Sequence, residues 1–240
     1  MRCALNSRVP EHLRMPTLNT PLASSPRFAA AIIDLDGTMV DTLGDFHVAL
    51  NAMLADVGAG SVDRAFIEQT VGKGSEHLVR QTLAAVGASA GSYDEAFSRY
   101  QHHYEHTNGK HAAVYEGVIE GLRRMQSLGL KLACLTNKPL AFASSLLAQK
   151  GLAPFFTVCF GGDSFARKKP DPLPVLRTCE ALGAAPSQVL VIGDSENDAQ
   201  AARAAGCEVV LVPYGYNHGR PVAAVDCDGV VDRLDAVSVC

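Results

Sequence analysis

From residue 112 onward the chain switches repeatedly between two hydrophobic periods. Val118, Leu122, Met125 and Leu128 recur at helical spacing, Gly129 stops the helix, and the apolar run LKLACLT follows as a strand. Residues 139–150 predict a second helix, ended by Gly151 and followed by the strand TVCFGG. PVLRTCEAL, closed by Gly183, leads to QVLVIGD, and DAQAARAA, closed by Gly206, leads to EVVLVP. Glycine just past a helix end supplies the left-handed stop that other residues adopt at a cost. Four helix-glycine-strand units in succession predict a parallel sheet with crossover helices, and the apolar run at 29–33 adds a fifth strand.

The stretch between residues 43 and 111 follows a different pattern. GDFHVALNAMLADV, RAFIEQTV, SEHLVRQTLAAV and YDEAFSRYQHHYEH all carry helical periodicity, with no strand between them. A helical block inserted after the first strand of an α/β unit predicts a second, smaller domain. The expected division is a sheet domain of residues 28–43 and 112–240 and a helical domain of residues 44–111. Residues 1–27 are rich in Pro, Ser, Asn and Thr and predict a disordered arm. It has no long apolar core of the kind a secretory signal needs, and Met15 offers an alternative start.

Bulk composition narrows the classes. With 48% hydrophobic and 19% charged residues, the 240-residue chain has enough apolar material for a full core. A formal charge of -4 and the lack of any basic cluster beyond Arg167-Lys168-Lys169 argue against a nucleic-acid partner. No apolar run approaches the roughly 18 residues of a membrane span. None of the seven cysteines pairs as CxxC, which argues against zinc and suits a reducing, cytoplasmic setting.

Ligands of open parallel sheets bind at the carboxyl ends of the strands. The first strand ends in Asp34, Asp36, Gly37 and Thr38, the second in Thr136, Asn137 and Lys138. The third leads through GGDS to Lys168, Lys169 and Pro170, and the fourth reaches Gly193, Asp194, Ser195, Asn197 and Asp198. Parallel strands would bring these to one edge. Two like charges closing a buried strand raise at least one pKa unless a cation needs them. Oxygen donors without Cys or His suit a hard ion, Mg²⁺ before Ca²⁺, and Mg²⁺ commonly shares a substrate phosphate. A hydroxyl and a lysine can hold phosphate oxygens, and a carboxylate can act as a nucleophile. The set reads as phosphoryl transfer.

DLDGTMVDT, LTNK, KKPDP and GDSENDAQAA resemble, in order and spacing, the four motifs of the haloacid dehalogenase (HAD) superfamily, and the resemblance covers residues 28 to 237. It implies a Rossmann-like core whose helical insert is a C1-type cap closing over small substrates. It further implies Asp34 as nucleophile and Asp36 as acid/base. Mg²⁺ would be held by the Asp34 carboxylate, the Asp36 backbone carbonyl and Asp194, with Asp198 supporting the metal's waters or Lys169. Thr136 and Asn137 would hold the transferring phosphoryl group, and Lys169 would offset its charge. Dehalogenases of the superfamily lack the second aspartate of the first motif, so Asp36 points to a phosphatase.

VGKGSEHLVR, GGDSFARKKPDPLPVL and VPYGYNHGRPV are similar to stretches of the bacterial phosphoglycolate phosphatases, which implies 2-phosphoglycolate as substrate. Another small ester, a phosphomutase, or a HAD-like binding protein without turnover remain open, as does monomer or homodimer. In this reading Gly72, Lys73 and Gly74 lower backbone amides and a lysine onto the substrate's far end. His102, His103, His106 and His111 are expected as exposed side chains rather than metal ligands. Asp41 is expected to cap the following helix, and Tyr214 and Tyr216 to pack a loop beside the cleft.

Overall fold

The computed structural model describes residues 27–88 and 93–239. The arm expected over 1–27 lies, apart from Arg27, outside the described residues. Six strands form one parallel sheet: β1 (Ala30–Ile33), β4 (Lys131–Leu135), β5 (Val158–Phe160), β6 (Val189–Gly193), β7 (Glu208–Leu211) and β8 (Gly229–Val230), in the order β5-β4-β1-β6-β7-β8. Strand β1 is central, pairing Ile33 with Cys134 of β4 on one side and with Ile192 of β6 on the other. From β1 the chain winds outward to β4 and β5, then crosses back to β6, β7 and β8. The carboxyl ends of β1, β4 and β6 therefore open onto the crevice where the winding reverses.

Apart from Lys131 and Glu208 at the starts of β4 and β7, the strands are apolar, because both faces of the sheet are covered. Ala31, Ile33, Leu132 and Cys134 pack against α5 (Val118–Ser127) and α6 (Leu140–Gln149). Ala30, Ile32, Ala133 and Leu135 point the other way, toward α7 (Leu173–Leu182) and α8 (Glu196–Ala205). This is the two-residue alternation of a pleated strand read against two helical layers. Gly183 and Gly206 adopt the left-handed conformation just past α7 and α8, as the sequence pattern predicts.

Helices α1 (Leu43–Asp56), α2 (Arg64–Thr70), α3 (Ser75–Ala85) and α4 (Tyr93–Thr107) follow the first strand and bury a separate core around Phe46, Leu50, Met53, Ile67, Leu78, Tyr100 and Tyr104. They lie between β2 (Val40–Asp41) and β3 (Ala113–Val114), which pair antiparallel and bring the two ends of the helical block together. Asp45 reinforces this neck: its buried carboxylate accepts from Gly109 N–H at 2.6 Å and His111 N–H at 2.7 Å. Strands β2, β3 and β8 were absent from the sequence expectation. Each has two residues, too few to show a period.

Candidate active site

The strand geometry continues one residue past β1, where Asp34 N–H donates to Ile192 O at 2.9 Å. The chain then turns sharply at Gly37, whose φ is +85°. A side chain there would also place Cβ 2.3 Å from Asp194 Oδ2, so the turn needs glycine both for its backbone and for the carboxylate packed against it. Gly215 presses on Asp194 from the other side. Thr38 Oγ1 donates to Asp194 Oδ1 at 2.9 Å and Tyr216 N–H to Oδ2 at 2.5 Å. The loops after β1 and β7 thus fix one carboxylate at the end of β6.

Asp34, Asp194 and Asp198 each bring an oxygen within 4.8 Å of the others. Asp198 opens helix α8 with a capping box, its Oδ2 accepting from Ser195 N–H at 3.2 Å and Ser195 Oγ at 2.7 Å. Its Oδ1 accepts from Lys169 Nζ at 2.6 Å, and Lys169 also donates to Leu135 O at 2.8 Å. Lys169 Nζ lies 3.0 Å from Asp34 Oδ1, at an angle too poor for a hydrogen bond, and that buried oxygen has no hydrogen-bond partner among the described residues. Burial pushes the Asp34 carboxyl up to about 7; Lys169 pulls it down while Asp198 and Asp36 push it up. Burial, with Asp198 and Asp34 nearby, holds the Asp194 carboxyl well above the usual carboxylate range. Lys169 moves up despite its burial, because Asp198 and Asp34 hold its proton.

These features fit a hard divalent cation. The donors are all oxygen, an Asp34 oxygen beside Lys169 accepts no hydrogen bond among the described residues, and burial together with neighbouring carboxylates raises two of the carboxyls. Asp198 is the most heavily engaged of the three, its oxygens taking the Lys169 ammonium and two Ser195 donors, where those of Asp194 take Thr38 Oγ1 and Tyr216 N–H.

Asp36 sits in a different environment. Its Oδ1 accepts from Thr42 Oγ1 at 2.8 Å and from Lys138 Nζ at 2.9 Å, and Lys138 reaches Oδ2 at 3.2 Å. Lys138 is almost fully buried. The ammonium also donates to Tyr104 Oη at 2.5 Å and lies over the rings of Phe46 and Tyr104 at 4.6 and 4.8 Å. The sequence places Lys138 at a strand end but does not connect it to Asp36, 102 positions away.

A cavity of about 390 Å³, open solvent included, lies between the strand ends and the helical block. Asp34, Asp36, Thr136, Asn137 and Lys138 form its floor, and Phe46, Val71, Gly72, Gly74, Ser75 and Leu78 its roof. Gly72 and Gly74 line the cavity, whereas the Lys73 side chain between them is exposed and does not. Asn137 lines the cavity, but its side chain is committed to the backbone. Its Nδ2 donates to Gly72 O at 2.9 Å and Lys169 O at 2.8 Å, and its Oδ1 accepts from Lys169 N–H at 3.0 Å. Asn197 Nδ2 reaches Gly72 O at 3.4 Å, and Lys168 pairs with Glu76 at 2.7 Å, so the helical block is drawn down onto the sheet.

The remaining expected residues fall around the site. His102, His106 and His111 are exposed, and His103 pairs with Asp56 at 2.7 Å. Among the described residues they form no cluster of metal-ligating side chains. Asp41 Oδ1 accepts from Leu43 N–H at the start of α1, at 3.1 Å, and from Tyr216 Oη at 2.6 Å. Tyr214 Oη donates to Thr38 O at 2.9 Å, so both tyrosines brace the loops behind Asp194.

This arrangement has counterparts. The family model described as haloacid dehalogenase-like hydrolase matches residues 31–212, and the chain belongs to that family. It is 42% identical over 208 residues to a phosphoglycolate phosphatase of Thiobacillus denitrificans, covering 85% of this chain and 92% of the relative. It is 44% identical over 210 residues to that of Nitrosospira multiformis, with the same coverage. A crystal structure described as a predicted phosphoglycolate phosphatase from Haemophilus somnus superposes with a TM-score of 0.82 at 30% identity, covering 87% of this chain and 96% of that one. The chain is an enzyme, a phosphoric monoester hydrolase with an α/β Rossmann-like HAD fold. Among the described residues no helix is long and apolar enough to cross a membrane.

Proposed function

We propose that the chain is a Mg²⁺-dependent phosphatase that hydrolyses 2-phosphoglycolate to glycolate and phosphate through a phosphoryl-aspartate at Asp34. The observation that carries the chemistry is the Asp34 oxygen that accepts no hydrogen bond among the described residues, beside Lys169 and at the floor of a small cavity. The similarity to phosphoglycolate phosphatases supports the choice of ester. Residues 44–111 act as the cap, and the small space beneath their apolar roof suits a short ester better than a nucleotide.

The Asp34 carboxylate, the Asp36 backbone carbonyl and Asp194 would hold Mg²⁺, which on binding offsets the charge shared by nucleophile and phosphate. Lys169 keeps Asp34 ionised and oriented. An Asp34 oxygen attacks phosphorus, the bond from phosphorus to the glycolate oxygen breaks, and Asp36 gives its proton to that oxygen. Asp36 then takes a proton from the water that attacks the phosphoryl-aspartate, releasing phosphate and restoring Asp34. Thr136 and the Asn137 backbone face the transferring group. The Asn137 side chain holds the Lys169 loop and the cap loop at the right height. Free cysteines among the described residues support a cytoplasmic setting.

The test compares kcat/KM for phosphate release across small esters, 2-phosphoglycolate and sugar phosphates included, with and without Mg²⁺. A preference for 2-phosphoglycolate that EDTA abolishes is expected. A clear preference for a sugar phosphate would overturn the substrate, and a rate indifferent to EDTA would overturn the metal.

A further inference from the structure

Lys138 is a buried lysine in the cavity floor that the mechanism above leaves without a task. Its neighbours define one. Among the described residues Asp36 has two side-chain partners, Thr42 Oγ1 on Oδ1 and Lys138 Nζ across both oxygens. Oδ2 is therefore fixed by Lys138 alone. Lys138 itself is held from the cap: Tyr104 of α4 accepts one of its protons, and the Phe46 ring lies 4.6 Å from the ammonium. Tyr104 is fully buried and Phe46 stacks on it at 5.2 Å, so the contact is rigid. The acid/base of the core is thus aimed by a core lysine whose own site is completed by two cap residues.

We infer that Lys138 is a positioning residue for Asp36, and that Tyr104 and Phe46 of the cap set its position, so that Asp36 is aimed at the leaving oxygen when the cap is seated. This rests on the reading of Asp36 as the proton donor. A wrongly aimed carboxylate costs most where proton transfer matters most. An alkoxide leaving group needs the proton, whereas the acetate leaving group of acetyl phosphate does not. The specificity constant kcat/KM isolates this step, because it reports only events up to release of the leaving group.

The experiment measures kcat/KM for Lys138→Met, Tyr104→Phe and Asp36→Asn on 2-phosphoglycolate, ethyl phosphate and acetyl phosphate, each variant having been checked for a cooperative melt. Asp36→Asn sets the reference pattern. Lys138→Met is expected to lose about 10²–10³-fold on both alkyl esters, the range for a positioned general acid, and less than about 5-fold on acetyl phosphate. Tyr104→Phe, which removes one oxygen, is expected to repeat the pattern at about 3–10-fold. An equal loss on all three substrates would overturn the inference, leaving Lys138 a buried charge partner. A loss confined to 2-phosphoglycolate would overturn it in favour of a lysine that reads the substrate carboxylate. If Lys138→Met shows no split while Asp36→Asn does, the inference alone fails. If Asp36→Asn shows none, the proton-donor reading fails and the inference falls with it.

Discussion

Replacing Lys169 with methionine removes the cation from the carboxylate cluster while keeping much of its shape. Lys169 Nζ lies 2.6 Å from Asp198 and 3.0 Å from Asp34, with its side chain 4% exposed. Breaking such a buried pair leaves uncompensated charge and costs about 3–5 kcal/mol. For a chain of this size that corresponds to a melting temperature about 6–20 °C lower, at roughly 2–4 °C per kcal/mol. Activity should fall for a linked reason. Asp34 stands at about 7 while Lys169 pulls it down, so its loss drives the carboxyl higher still. In the metal-free enzyme each further unit removes up to about tenfold of the ionised carboxylate at neutral pH, and Mg²⁺ binding weakens with it. The assay is thermal unfolding of the EDTA-treated variant beside the wild type, followed by titration with Mg²⁺ and a pH profile of kcat/KM. The expected result is a large loss of melting temperature, partly restored by Mg²⁺, and an acidic limb moved to higher pH. A metal-free variant melting within about 2 °C of wild type would refute the reasoning, because that cost lies below the range for a buried pair.

Other outcomes follow from the same geometry. In EDTA, Asp34 has a folded value raised from 3.8 to about 7, so the native state holds the proton more tightly than the unfolded chain. That stability is full below pH 3.8 and lost as pH rises toward 7, a swing of about 4 kcal/mol. Mg²⁺ should accordingly raise the melting temperature more at pH 8 than at pH 5, and the reverse order in calorimetry would count against the cluster as a cation site. Gly215→Ala would set a Cβ 2.3 Å from Asp194 Cβ and 2.4 Å from Gly37 O. Calorimetric Mg²⁺ affinity should drop at least about tenfold, with about 1–3 kcal/mol of overpacking; unchanged affinity would show Asp194 free to move. Lys73→Ala, on an exposed side chain, should leave kcat/KM within about 3-fold, and a loss beyond about 30-fold would place Lys73 on the substrate after all.

Much of the fold was legible because its signals are local. The glycines after α7 and α8 and the apolar runs of β1, β4 and β6 each declare an element within a dozen residues. The carboxylates of the site were legible for a chemical reason: few buried strands end in two acids without a use for them. What the sequence hid depends on orientation or distance. Nothing in VGKG says that Lys73 turns outward while the flanking glycines face the cavity. The Asn137 side chain reads as a phosphate ligand until the structure reveals three backbone bonds that occupy it. Lys138 is adjacent to a recognised motif, yet its partners Asp36, Phe46 and Tyr104 come from the first strand end and from two helices of the inserted block, α1 and α4. Periodicity places Tyr100 and Tyr104 on one buried face of α4 but cannot say that a lysine of the sheet meets the second of them.

The most direct test of the central claim is a rapid acid quench. Enzyme in excess of labelled 2-phosphoglycolate, with Mg²⁺, is stopped within a turnover and digested for mass spectrometry. The account predicts one acid-stable phosphoryl group on the peptide carrying Asp34, absent from Asp34→Asn and absent when EDTA replaces Mg²⁺. Full release of phosphate by Asp34→Asn, or label on any other side chain, would contradict it.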